Sequence, residues 1–158
     1  MKKLRVYLDA SVISHLDAPD VPDKEADTKR LWEDIKAGKY EVVISDLTLV
    51  EMQNCPEPKR SFMREAITQI ASVQVERDDE SRHLSDLYVE IGGLPPKSRD
   101  DAAHIAVATI SSCDIILSWN FRHIVNLRAM TAVEAVNIKE GYKPIRILSP
   151  AMILEERE

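Results

Sequence analysis

Asp9, Glu51, Asp101 and Asn120 are the residues of this chain whose types and placement suit them to chemistry. Each lies at or just beyond the C-terminal end of an apolar run, or in a helix that follows one. An open parallel α/β sheet gathers its ligands outside the carboxyl ends of its strands, so residues remote in sequence can meet there. Three carboxylates about 5 Å from one another would repel by ~3 kcal/mol per pair at an effective dielectric of ~20, which implies a cation among them. An all-oxygen donor set selects a hard ion, Mg2+ or Mn2+, over zinc. Such an ion generates a hydroxide-like nucleophile and offsets charge on a phosphorane-like transition state, as phosphodiester hydrolysis requires.

Each position also has a structural account. Val6-Tyr7-Leu8-Asp9-Ala10-Ser11-Val12 ends an apolar strand in an Asp followed by a small residue and a hydroxyl, and Asp and Ser are equally good helix N-caps. In Ser45-Asp46-Leu47-Thr48-Leu49-Val50-Glu51-Met52, Glu51 falls ~9 Å along a helix past the strand end; alone it reads as a solvated surface Glu. Arg99-Asp100-Asp101-Ala102-Ala103-His104-Ile105-Ala106 sets two carboxylates in the first turn of a small-residue helix, where the dipole contributes ~0.3–1 kcal/mol and suffices to explain Asp100. The alanines behind Asp101 let that helix approach the sheet and fix where the carboxylate points. Ile115-Ile116-Leu117-Ser118-Trp119-Asn120-Phe121 ends a buried strand in a polar triplet, and Asn120 suits a cap on a turn at Phe121 to Ile124 as well as a site. Four independent caps have no reason to converge. Four residues at the ends of three strands and in the helices that follow do.

The elements that must position them alternate. Leu4 to Leu8, Glu41 to Ser45, Ile115 to Ser118 and Ile145 to Leu148 are short, nearly continuous apolar runs, the pattern of strands covered on both faces, and Ser72 to Val75 is a weaker fifth. Helical spacing predicts helices over Lys24 to Ala37, Asp46 to Asn54, Lys59 to Ile70, Asp79 to Ile91, Arg99 to Ser111 and Asn126 to Lys139. Gly38 and Gly92-Gly93 stand where helix ends want them, and Pro56, Pro58 and Pro95-Pro96 break the chain. The order points to a three-layer α/β/α sandwich with a central, mainly parallel five-stranded sheet, built as a single domain over residues 1–158.

The length suits one hydrophobic core, enough to bury roughly two-thirds of the unfolded surface. Cys55 and Cys113 lack metal or disulfide spacing and read as reduced thiols. No run has transmembrane length, and Met1-Lys2-Lys3 leads straight into a strand, so a cytoplasmic protein without membrane attachment is expected. The net charge of −6 weighs against a nucleic-acid partner, since phosphate asks for a basic surface, although acids gathered at a metal site account for part of it. Gly-rich phosphate loops and a Gly-x-Ser-x-Gly elbow are absent from the sequence, which disfavours nucleotide-dependent and serine-hydrolase chemistry.

With those segments in that order, the chain resembles the PIN-domain family, specifically the VapC-like ribonuclease toxins of prokaryotic toxin–antitoxin pairs, over roughly residues 4 to 148. The carriers are Val6-Tyr7-Leu8-Asp9-Ala10-Ser11, Ile44-Ser45-Asp46-Leu47 to Glu51, Asp101-Ala102-Ala103-His104-Ile105-Ala106, and Asp114-Ile115-Ile116-Leu117-Ser118-Trp119-Asn120-Phe121. The resemblance implies a PIN-like fold, Mg2+ or Mn2+ as cofactor, and cleavage of single-stranded RNA to leave a 5′-phosphate and a 3′-hydroxyl. By position, Asp9, Glu51 and Asp101 become catalytic metal ligands, direct or through water, and Ser11 and Ser118 orient them. A homodimer neutralised by a small antitoxin is also implied. The family's usual fourth acid falls on Asn120, which keeps an oxygen donor and loses a charge, so a second ion should bind less tightly or need substrate phosphate. Asp114 lies at the other end of that strand, ~20 Å away, and cannot replace it.

Lys97, Arg99, Arg122 and Arg128 flank the acids in sequence and are candidates for RNA phosphates, or solvated surface. Trp119 is expected in the core rather than stacked on a base. His104, three residues after Asp101, is expected to be a half-buried packing residue, with a hydrogen bond into the site as the alternative. The rival function is a PIN-scaffold RNA- or protein-binding module whose activity went with the fourth acid.

Overall fold

Val6, Tyr7 and Leu8 are all fully buried, with no alternation between faces, so the strand that carries them must be covered on both sides. The computed structural model describes residues 2–120 and 125–156. Strand β1 (Leu4–Leu8) leads into helices α1 (Ala10–Ser14) and α2 (Pro22–Lys36), and β2 (Tyr40–Ser45) into α3 (Asp46–Gln53) and α4 (Lys59–Thr68). Then come β3 (Val73–Val75), α5 (Asp79–Glu90), a 3-10 turn (Pro96–Ser98), α6 (Arg99–Ile110), β4 (Ile115–Leu117), α7 (Leu127–Glu140), β5 (Arg146–Leu148) and α8 (Pro150–Glu156).

The strands lie in the order β3-β2-β1-β4-β5 and every neighbouring pair is parallel. Val6 stands opposite Val42 on one side and Ile115 on the other. One face of the sheet, with Val6, Leu8, Ile44 and Leu117, packs with Val12, Leu31, Met63 and Ile153. The other, with Tyr7, Val43, Ile116 and Ile147, packs with Leu84, Ile105 and Val133. The sandwich expected from the sequence is therefore present. Helix α8, beyond the last expected strand, was not anticipated and is too brief to show helical periodicity, whereas the short α1 is the helix that Asp9, read as an N-cap, begins.

After β1 the chain builds the sheet outward through β2 and β3, then returns to β1's other side for β4 and β5. The β1/β4 junction is thus a topological switch point, where the connections diverge and leave a crevice at the strands' carboxyl ends. At the opposite end Asp114 pins the sheet. Its Oδ2 accepts the Arg5 backbone N–H at 2.8 Å, its own N–H donates to Arg5 O, and Lys143 Nζ lies 2.6 Å from Oδ1.

Candidate active site

Asp9 ends β1 at the switch point and caps α1, accepting from the Val12 N–H at 3.3 Å. Capping does not exhaust it. Ser11 Oγ donates to Oδ1 at 2.5 Å, and Ser118 Oγ, from the end of β4, donates to Oδ2 at 2.6 Å. Ser11 Oγ in turn accepts the Trp119 N–H at 2.9 Å, and Ser118 Oγ accepts the Asn120 N–H at 2.9 Å. Two serines, one in the first turn of α1 and one at the end of β4, therefore clasp one buried carboxylate. Burial raises the Asp9 pKa above the usual carboxylate value, and the Glu51 charge adds to this; His104 and the two serine hydroxyls pull the other way.

Glu51 arrives from α3, whose first turn is capped by Ser45 Oγ on the Thr48 N–H. Its Oε1 is 2.7 Å from His104 Nε2. The His104 ring is buried, and its Nδ1 is 2.6 Å from the Tyr7 hydroxyl, which reaches Ser45 Oγ at 2.6 Å. Desolvation disfavours the imidazolium, but Glu51, then Asp9 and Asp101, outweigh it and raise the His104 pKa above its ordinary value. Of the three acids, Glu51 contacts the ring, and Asp9 and Asp101 act on it through their charge. The expectation of a half-buried packing role for His104 is corrected. It lies on the face of α6 that carries Asp101, and its spacing from that acid was the signal. Tyr7 was missed altogether, although a hydroxyl at the centre of a fully buried strand needs a partner.

Asp101 stands in the first turn of α6, as expected. Asn120 turns its amide nitrogen toward it, with Nδ2 3.3 Å from Asp101 Oδ1. Hydrogen bonds thereby join Asp9, Ser11, Ser118, Asn120 and Asp101, while Glu51, near the end of α3, is held by His104 of α6. The basic candidates are more scattered. Arg99 pairs with Asp86 of α5 at 3.3 Å, and Arg128 donates to Gly93 O at 3.3 Å. Lys97 and Arg128 line one shallow depression with Ser98 and Asn126. Arg122, and the turn at 121–124 that Asn120 was expected to cap, lie outside the described residues. Trp119 is buried, with Nε1 donating to Thr28 Oγ1 at 2.8 Å, in keeping with a core role.

The donors are carboxylate, amide and hydroxyl oxygens, chemistry that fits a hard divalent cation. Among the described residues no three His, Cys, Asp or Glu side chains are grouped to hold an ion by themselves.

No sequence-family model and no curated protein sequence matches the chain. Solved structures do. VapC20 of Mycobacterium tuberculosis, described as a Sarcin-Ricin loop cleaving toxin, is 17% identical and superposes with a TM-score of 0.53 over 76% of this chain and 93% of its own. VapBC2 from Rickettsia felis, bound to a DNA fragment from its promoter, is 12% identical, with a TM-score of 0.54 over 92% and 98%. DNA-bound VapBC from Salmonella typhimurium is 14% identical, with a TM-score of 0.52 over 93% and 98%. The chain has the VapC fold. At these identities the likeness concerns the PIN-like architecture alone. Among the described residues, no helix is long and apolar enough to cross a membrane.

Proposed function

We propose that this chain is a Mg2+- or Mn2+-dependent endoribonuclease that hydrolyses single-stranded RNA, the toxin of a toxin–antitoxin pair. One observation carries the reading: a buried Asp9 clasped by Ser11 and Ser118 at the switch point, with Ser118 also holding the backbone of Asn120, whose amide reaches Asp101. Capping α1 needs only one oxygen of Asp9, whereas two serine hydroxyls orient the same buried carboxylate. The VapC fold and a solved structure described as a Sarcin-Ricin loop cleaving toxin support the same class. Two structural neighbours solved as VapBC support a small antitoxin as partner, and a cytoplasmic homodimer is part of the same proposal.

Asp9 would hold the ion directly, with Glu51, Asp101 and the Asn120 amide acting through water or substrate phosphate. The bound cation supplies charge neutralisation at the scissile phosphate and acidifies a water. Ser11 and Ser118 keep the Asp9 oxygens from rotating, and Glu51, the partly exposed acid, accepts the proton of the attacking water. Lys97 and Arg128, in their shared depression, provide phosphate contacts on an otherwise acidic chain.

The test is incubation of single-stranded RNA with the purified protein in Mg2+, Mn2+ or chelator, beside Asp9→Asn. Cleavage is expected with either ion, and none with chelator or the variant. The binding-module reading is favoured by one specific contact, the Asn120 amide on Asp101, which offsets an acid without an ion. Retained RNA binding with no cleavage in any ion would select it.

A further inference from the structure

Glu51 projects from α3 with its side chain 37% exposed, a setting in which a glutamate normally keeps its rotamer freedom. Here it is tied to a buried relay. Thr48 N–H donates to Ser45 Oγ at 3.3 Å, Ser45 Oγ lies 2.6 Å from the Tyr7 hydroxyl, Tyr7 lies 2.6 Å from His104 Nδ1, and His104 Nε2 lies 2.7 Å from Glu51 Oε1. The path leaves α3 at Thr48, crosses the end of β2, β1 and α6, and returns to α3 at Glu51.

Donor accounting fixes its final link. A carboxylate only accepts, so Nε2 carries the proton. In the neutral ring, Nδ1 accepts from the Tyr7 hydroxyl, which accepts from Ser45. In the imidazolium, Nδ1–H donates to the Tyr7 oxygen and the Tyr7 hydroxyl turns to Ser45. Both forms leave Nε2–H on Glu51. Packing alone does not account for the pair, because leucine and phenylalanine would fill the same layer without desolvating polar atoms. The neighbours of His104 on α6, Ala102, Ile105, Ala106, Val107 and Ala108, are buried and apolar.

We propose that His104, braced by Tyr7, is a positioning residue that holds the Glu51 carboxylate in one orientation for the reaction proposed above, an inference that rests on that reading. His104 touches neither RNA nor ion and acts through Glu51. The same hydrogen-bonded bracing of acids and ligands elsewhere is worth about 10- to 100-fold in activity or metal affinity.

The experiment measures Glu51 side-chain order by carbon-13 relaxation in the ion-free protein, for wild type, Tyr7→Phe, His104→Leu and His104→Gln. Order should fall in Tyr7→Phe and His104→Leu and recover partly in His104→Gln, whose amide N–H can reach the carboxylate. In RNA cleavage, kcat should fall about 10- to 100-fold in the first two variants with KM unchanged. Tyr7→Phe conserves the ring, so the test survives if His104→Leu does not fold. Glu51 as ordered in Tyr7→Phe as in wild type overturns the proposal, even if cleavage is robust. Loss of order in the variants supports it even if the wild type cuts no RNA, in which case the proposed activity fails instead.

Discussion

Asn120 donates from Nδ2 to Asp101 Oδ1 across 3.3 Å, joining the end of β4 to the first turn of α6. A neutral donor thus faces Asp101 where the PIN resemblance expects a further acid. In Asn120→Asp two carboxylates would share that contact, repelling by between ~1 and ~4 kcal/mol depending on how much water screens them. In chelator the variant should melt lower than wild type, at ~2–4 °C per kcal/mol for a chain of this size. Mn2+ should then raise its melting temperature by more than it raises that of the wild type, because the ion relieves a repulsion the wild type lacks. Scanning fluorimetry of both proteins with and without Mn2+ checks this; equal increments would show that the two side chains do not share an ion.

Ser118 offers a second test, since its buried Oγ serves Asp9 and the Asn120 backbone together. Removing the hydroxyl in Ser118→Ala leaves an Asp9 oxygen and the Asn120 N–H short of a partner in a desolvated place, costing ~1–3 kcal/mol for each group left unsatisfied. Cleavage should fall about 10- to 100-fold, whereas Ser118→Thr, which retains the hydroxyl, should keep most of it if its methyl is accommodated. Initial rates for the three proteins on one RNA, normalised to folded fraction, separate a lost donor from lost fold.

The strand ends were legible because strands covered on both faces are read from continuous apolar runs, and the residues after them then fall into the crevice by topology alone. Asp9 and Asn120 were placed this way, Asp101 was read from the first turn of a helix, and the orienting roles of Ser11 and Ser118 came from the family resemblance. Glu51 alone looked like solvated surface, because the partner that makes it part of a site, His104, lies far along the chain and only folding supplies it. Tyr7 was hidden for the opposite reason. An aromatic in an apolar strand reads as core, and its hydroxyl finds use only when β2 and α6 are laid against β1. Helix α8 was invisible to periodicity, its Pro150 start following directly on β5.

Asp114 predicts a pH effect far from the site. Desolvation would raise its pKa, but the Arg5 N–H and Lys143 outweigh that and hold the carboxyl below its ordinary value. A carboxylate lowered on folding contributes stability that is fully present above its unfolded pKa and is lost as pH falls through the folded one. Asp114→Asn should therefore melt below wild type at neutral pH, by ~2–4 °C for a loss near 1 kcal/mol. That gap should persist down to the usual carboxylate range and close below it. Divalent-ion stabilisation should be unchanged, because Asp114 joins β1 and β4 at the end opposite Asp9. A gap that widened under acid would have the wrong sign for this contact.

Gly92 and Gly93 follow α5 side by side but constrain substitution for different reasons. A Cβ on Gly92 would come within 2.6 Å of Tyr88 O and 3.3 Å of Ala132 Cβ, where α5 meets α7. The obstacle is backbone on one side and a buried helix on the other, so Gly92→Ala should cost the ~1–3 kcal/mol of an overpacked contact. Gly93 has open space around it and a φ of +80, where an L-residue pays ~1–2 kcal/mol and Asn pays less. Gly93→Asn should accordingly be milder than Gly93→Ala, whereas Gly92→Asn should be at least as damaging as Gly92→Ala. Chemical denaturation of the four variants decides it. If Asn rescued position 92 as well, the limit there would be backbone conformation rather than the close approach of Tyr88 and Ala132.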